Sequence, residues 1–309
     1  MKSTFASPPK PLVFTMVITP MDAKGEIDEA VCRLHLRRMI KAGVGIYLGS
    51  GGSGEGHALE PNEMSRLYEI GVEECKGKAP VYCNPPEART AKEMVRKARL
   101  GVAAGVELIQ IYQLDAGHGR APVLVEQERY FRDVLEAVNH PVALSIHFAS
   151  GYLAPVSLTA KLCNDYPHVM AVNLHGTTMN YFVELQDSIR TGIKLYVGTG
   201  QLLGALPLGA WGCQAAESNV APKLCQSVID HFLRGDIKKS AQAYANMMRL
   251  WNAMLLTQAV SGDIPKATLM ALGLPGGPVR PPRVMADKAT IRKIRERLDA
   301  MGLRKLEGL

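Results

Sequence analysis

No two cysteines in this chain stand in the C-x-x-C spacing of a metal clip or redox motif. The six that occur (Cys32, Cys75, Cys83, Cys163, Cys213 and Cys225) all fall inside apolar segments. Buried free thiols in a reducing compartment are the expected state, which excludes a disulfide-stapled scaffold. No stretch approaches the roughly 18 apolar residues of a membrane-spanning helix. The N-terminus, MKSTFASPPKPLVF, lacks the apolar centre of a secretory signal and reads over residues 1–10 as a loose arm. The lysine of a P-loop is missing from the one glycine-rich turn. These absences point to a cytoplasmic protein with no membrane partner and no cofactor.

The 309 residues suffice for one large α/β barrel or for two domains, and 47% apolar content is ample for a core. Net charge is +7, but lysine and arginine are spread along the helices and gather only near the C-terminus, from Arg280 and Arg283 through Lys288, Arg292, Lys293, Arg295 and Arg297. A solvated basic helix accounts for that cluster, and no nucleic-acid partner is expected.

The chain alternates. β-rich runs at 13–20, 45–48, 79–84, 107–113, 141–147, 169–174, 193–198 and 211–217 are separated by helical patterns near 27–42, 60–75, 90–104, 123–139, 156–166, 179–191, 201–210 and 221–235. Strands alternating with helices imply a parallel sheet, and eight such units imply a closed (β/α)8 TIM barrel rather than a doubly wound sheet. After residue 236 the pattern changes to a long helix over 237–257, the segment IPKATLMALGLPGGPVRPP and a charged helix near 287–301. The predicted organisation is a barrel over 1–236 with a C-terminal helical extension over 237–309, packed as one unit.

In such a barrel the active site gathers at the C-terminal ends of the strands. The turn after the second strand, Gly49-Ser50-Gly51-Gly52-Ser53-Gly54-Glu55, offers backbone N–H groups and small hydroxyls to a ligand. The other polar residues expected at that end are Thr19, His57, Asn84, Gln113, Asp115, His118, Ser145, His147, Asn173, His175, Thr199, Glu217 and Asn219. Ser145/His147 and Asn173/His175 are i, i+2 pairs on consecutive strands, so four side chains share one face. Imidazole titrates near neutral pH, which suits His147 and His175 to acid/base work. The bland readings are that His57 and His118 are loop residues, Glu55 ties its own turn to backbone N–H groups, Tyr112 is core, and the Met247–Met254 stretch is a packing face.

Four segments carry a resemblance: VITPMDAKGEID (17–28), AGVGIYLGSGGSGEGHALEPNEMSRL (42–67), GALPLGAWGCQAAESNVAPKLC (204–225) and IPKATLMALGLPGGPVRPP (264–282). They resemble the dihydrodipicolinate synthase/N-acetylneuraminate lyase family along nearly the whole chain. The resemblance implies a (β/α)8 barrel and a homo-oligomer, dimer or tetramer. It also implies 2-oxo-acid chemistry in which a strand-6 lysine forms an imine, a strand-5 tyrosine relays protons and a G-T-T-G-E turn holds the substrate carboxylate. Aligned to that pattern, Asn173 stands at the lysine, Ser145 at the tyrosine and Phe148 at a proline, while Gly52-Ser53-Gly54-Glu55 keeps the turn. The second tyrosine falls near Asp115–Ala116. No lysine lies between Lys161 and Lys194, so a shift in register does not restore it. An amide cannot form an imine.

The expected activity is therefore that of a lyase or hydratase acting on a small 2-oxo acid or related carboxylate without the Schiff base, and not a true dihydrodipicolinate synthase. The expected catalytic residues are His147, His175, Asn173 and Ser145, with Gly52, Ser53, Gly54, Glu55, Asp115 and Thr199 binding substrate. Two alternatives stay open. One is a metal-dependent aldolase or hydrolase with His147, His175 and either Asp115 or His118 as ligands. The other is a non-catalytic carboxylate-binding protein.

Overall fold

The computed structural model describes residues 8–257 and 264–309. Most of the arm read over residues 1–10 lies outside them.

Eight parallel strands close into a barrel in chain order: β1 (Leu12–Met16), β2 (Gly45–Leu48), β3 (Val81–Cys83), β4 (Leu108–Tyr112), β5 (Val142–His147), β6 (Val169–His175), β7 (Lys194–Gly198) and β8 (Gly212–Ala215). Each strand is followed by a helix: α1 (Glu29–Ala42), α2 (Pro61–Cys75), α3 (Ala91–Ala104), α4 (Leu124–Ala137), α5 (Val156–Asp165), α6 (Met179–Ser188), α7 (Leu202–Ala205) and α8 (Pro222–Leu233). The extension adds α9 (Ile237–Met254), α10 (Ile264–Ala271), α11 (Lys288–Ala300) and α12 (Leu303–Glu307). The predicted TIM barrel with C-terminal helices is the observed fold. None of the helices described is long and apolar enough to cross a membrane, and all six cysteines are free and buried.

Two predicted elements differ from the observed ones. The first strand ends at Met16, because Ile18 donates its N–H to Asn219 Oδ1 (3.0 Å) instead of to the sheet and Pro20 has none to give. The helix expected over 201–210 is a single α turn between two 3-10 turns; Pro207 removes an N–H inside it and Gly209 turns the chain at φ 96°.

Period-2 alternation sorts the strand residues, odd positions out and even positions in or the reverse, and stacks the inward ones in layers. An aromatic cluster fills the lower part of the barrel interior together with Leu12, Leu108, Ala143 and Ala171. Phe14 stacks on Tyr82 with ring centroids 4.7 Å apart and meets Tyr47 and Tyr196 at 5.3 Å. Gly45 is required there, since a Cβ would lie 2.3 Å from the Phe14 ring. Above this plug sits a layer of amides. Asn173 Nδ2 donates to Gln110 Oε1 (2.5 Å) and the Tyr47 hydroxyl (3.1 Å), and Gln214 Nε2 donates to Gln110 Oε1 (2.7 Å). The next inward positions, one step toward the C-terminal ends, are Tyr112, His147 and His175. They form the wall of an open cavity.

Candidate functional site

A cavity of about 420 Å³ occupies the C-terminal end of the barrel. On one side is the glycine-rich turn, from Ser50 to Ser53; on the other are His147 and His175. Parallel register places His147 directly beside His175, as it does Ser145 beside Asn173. The two imidazoles stack face to face, centroids 4.4 Å apart and planes within 3°. Gly198 on the neighbouring strand makes room for this, because a Cβ there would lie 2.9 Å from His175 Nδ1.

Burial, reinforced by the neighbouring His175, pushes the His147 imidazole down to about 4. Desolvation likewise lowers His175. Both rings are thus neutral at physiological pH. His147 Nδ1 accepts the Ala149 N–H at 2.9 Å. A neutral imidazole has one donor and one acceptor nitrogen, so the His147 proton sits on Nε2. His175 makes no hydrogen bond to the described residues, and its acceptor nitrogen is available.

The turn is built to leave its donors free. Arg283 holds the carbonyls of Gly51 (3.3 Å) and Gly52 (3.4 Å). In trans peptides the N–H points opposite the carbonyl, so the Gly52 and Ser53 N–H groups face away from Arg283. Neither those N–H groups nor the Ser53 hydroxyl donates to an acceptor among the described residues. Gly49, Gly51 and Gly54 also have the G-x-G-x-x-G spacing of a dinucleotide turn. Here, however, the chain passes through a short 3-10 turn at Gly56–Ala58 and α2 starts only at Pro61, so no helix N-terminus abuts the glycines.

Several expected site residues stand elsewhere. Glu55 does not face the cavity. Its carboxylate is fully buried against the Lys266 ammonium and accepts the Arg280 N–H at 3.0 Å, and this clamp holds Glu55 at φ 52°. Lys266 is correspondingly buried and is not among the residues that line the cavity. Gly54 spends its N–H on Ser50 Oγ (3.0 Å) and its carbonyl on the Thr19 hydroxyl (2.6 Å), inside the turn. Asp115 accepts the Gly117 N–H at 2.9 Å in a local Asx turn and lines an adjoining depression of about 480 Å³ that shares His57 and Glu87 with the cavity. His118 is exposed in the same loop at φ 50°. The proposed ligand sets of His147 and His175 with Asp115 or His118 are therefore not assembled, and no His/Cys/Asp/Glu trio among the described residues is arranged to hold a metal. Asn173 and Ser145 lie one layer beneath the cavity, not on its surface. Asn173 Oδ1, Gln110 Nε2 and Ser145 Oγ have no hydrogen-bond partner among the described residues.

Thr199 lines the cavity, with its hydroxyl donating to Glu217 Oε1 at 2.9 Å. Burial raises the Glu217 carboxyl above its usual range. Asn219 is spent on Ile18, His35 and the Met16 carbonyl. His57, read as a loop residue, reaches the cavity rim with Nε2 3.2 Å from Glu87 Oε2. Burial works against the Glu87 charge, but the His57 contact, Glu87's own backbone N–H and the nearby His57 and His147 rings together outweigh it and the carboxyl sits below its usual range. Glu87 and Trp251 line the cavity and were not foreseen. Glu87 follows two prolines in an irregular loop, and Trp251 lies in α9, far along the chain. Tyr112 is buried as expected, yet it also forms cavity wall.

A closed barrel with turn donors, paired histidines and carboxyl groups at the strand C-termini defines a TIM-barrel protein with an enzyme-like site. Comparison with known proteins gives the family: the profile of the dihydrodipicolinate synthetase family matches residues 11–301, and the chain belongs to that family. It is 27% identical over 299 residues to 4-hydroxy-tetrahydrodipicolinate synthase of Methanopyrus kandleri, covering 94% of this chain and 96% of that one. Among solved structures it resembles YagE, an E. coli prophage protein crystallised with pyruvate (TM-score 0.87, 19% identity, 96% and 100% of the two chains). It also resembles the dihydrodipicolinate synthase of Cyanidioschyzon merolae with lysine bound (TM-score 0.85, 21% identity, 95% and 98%).

Proposed function

We propose that this protein is a lyase or hydratase of the dihydrodipicolinate synthase type that activates a small 2-oxo acid by proton transfer at carbon, without an imine. The carrying observation is the neutral His147–His175 stack facing a donor-lined turn in a cavity with no lysine among its described lining residues. A 2-oxo acid bound by its carboxylate at the Gly52 and Ser53 N–H groups would present its carbonyl to the histidines. His147 Nε2–H donates to the oxygen on which enolate charge develops. The unpaired nitrogen of His175 takes the proton from the adjacent carbon. Stacking favours this division, since two imidazolium rings in contact repel and the pair holds one proton at a time. Asn173 supports the floor through Gln110 and Tyr47 rather than touching substrate.

Two measurements test the proposal. Borohydride added to the protein with pyruvate or other 2-oxo acids should leave the intact mass unchanged, and a one-lysine adduct would overturn it. Solvent deuterium should enter the C3 position of an accepted 2-oxo acid by NMR, slowed roughly 100-fold or more in His175→Ala. Exchange at the wild-type rate in that variant would remove His175 from the chemistry.

A further inference from the structure

Glu217 lines the cavity but has no part in the proton transfer proposed above. Its side chain is buried, and no cation faces it among the described residues. A charge there would rest on the Thr199 hydroxyl and the nearby N–H groups of Ala216 and Glu217 itself. A carboxyl taken out of water without a cation keeps its proton, in line with the upward direction that burial gives this one. A protonated carboxyl has an O–H to give. The 2.9 Å contact between Glu217 Oε1 and Thr199 Oγ1 serves equally from the acid to the hydroxyl. In that sense it frees the Thr199 O–H for the cavity that Thr199 lines.

Strand order sets where this acid acts. In a barrel closed from β1 to β8, the glycine turn after β2 faces the end of β6, and the Glu87 loop after β3 faces the end of β7. His175 closes β6, and Gly198 at the end of β7 packs against its ring. Thr199 is the next residue, so its hydroxyl follows His175 around the rim, across from the Glu87 loop. Glu87 itself stands with His57 against Gly51, its Oε2 3.1 Å from where a Cβ on that glycine would lie. The neutral acid and the ionised one are on opposite arcs.

We infer, on the footing of the oxo-acid reading above, that Thr199 and Glu217 form a proton relay to an oxygen on C4 of the ligand, and that the site removes water from 4-hydroxy-2-oxo acids rather than cleaving a carbon–carbon bond. His175 takes the C3 proton, the electron pair left on C3 forms the C3=C4 double bond, and the C4–O bond breaks. The departing oxygen takes the Thr199 proton as Thr199 takes that of Glu217, so water leaves and a 2-oxo-3-enoic acid remains. Return of the proton from His175 to Glu217 through solvent resets the site. Cleavage between C3 and C4 would instead need a base for the C4 hydroxyl proton, and a neutral carboxyl is an acid.

The test is NMR of the full-length protein with 4-hydroxy-2-oxopentanoate in deuterium oxide. The expected products are the acid deuterated at C3 and 2-oxopent-3-enoate, with no pyruvate or acetaldehyde. In Glu217→Gln and in Thr199→Val, the rate of water loss divided by the rate of C3 exchange in the same sample should fall roughly 100-fold or more. Thr199→Ser keeps the hydroxyl and should keep the ratio. Because the ratio is internal to each sample, a partly unfolded variant does not shift it. Pyruvate and acetaldehyde as products overturn the inference, as do C3 exchange without water loss and a ratio unchanged in either variant. Each of these leaves the oxo-acid reading standing. Absence of C3 exchange overturns both.

Discussion

The Glu55–Lys266 clamp joins the glycine turn to the extension, and its loss is the most informative single perturbation. Both side chains are completely buried. Lys266 Nζ also donates to the Pro278 carbonyl at 2.7 Å, and the Glu55 carboxylate also accepts the Arg280 N–H. Lys266→Met fills similar volume but strands a carboxylate in a dry site with one N–H for company. Removing one partner of a buried pair costs about 3–5 kcal/mol, most of it the penalty of the charge left behind. At about 2 °C per kcal/mol for a chain of this size, Tm should fall by about 6–10 °C. Glu55→Gln with Lys266→Met removes both charges and keeps an acceptor for Arg280, so the double variant should recover part of the loss. Urea denaturation of wild type, single and double variants reads these differences. A single-variant loss under about 1 kcal/mol, or a double variant less stable than Lys266→Met, would refute the claim that an uncompensated charge dominates. The clamp also fixes Glu55 in left-handed backbone beside the free N–H groups, so Lys266→Met should weaken 2-oxobutyrate binding even where the barrel stays folded.

Three further outcomes follow from the same geometry. Burial lowers His35 to about 4 while its ring Nε2 sits 3.0 Å from Asn219 Oδ1. The unfolded chain binds that proton near pH 6.5, so the contribution is intact above pH 6.5 and about 3 kcal/mol of stability is lost as pH falls toward 4, measurable by urea titration and reduced in His35→Gln. His147 is depressed to a similar value, so deuterium exchange at C3 should not lose rate through His147 between pH 7 and 5 and should fail near pH 4, where protonation of Nδ1 expels the Ala149 N–H. A failure centred near pH 6.5 would show an unperturbed ring. Gly198→Ala puts a methyl 2.9 Å from His175 Nδ1 and should slow exchange roughly tenfold or more with little change in Tm.

The fold was legible because it is written in local periods. Eight β-rich runs alternating with helical ones fix a parallel closed sheet, and i, i+2 spacing alone placed Ser145 with Asn173 and His147 with His175 across two neighbouring strands. What spacing does not give is depth. His147 and Ser145 share a face, but they differ by one layer of a tilted barrel, and that step separates a cavity wall from an amide floor.

The residues that escaped sequence reasoning share a different property: their partners are remote in the chain. Glu55 looks like a ligand-binding acid in its own turn, and only folding reveals Lys266, 211 residues away, as its counter-ion. Arg280 and Arg283 look like part of a solvated basic run, yet one is held by Glu63 at 2.6 Å and the other by the turn carbonyls. The extension thus acts on the site from behind. Lys266 pairs with Glu55, Arg280 with Glu63 and Arg283 with the Gly51 and Gly52 carbonyls, while Trp251 puts an apolar ring on the cavity lining. Among the described residues no lysine or arginine lines the cavity. Chemistry in the cavity, on the reading proposed above, then rests on neutral imidazoles and oriented N–H groups.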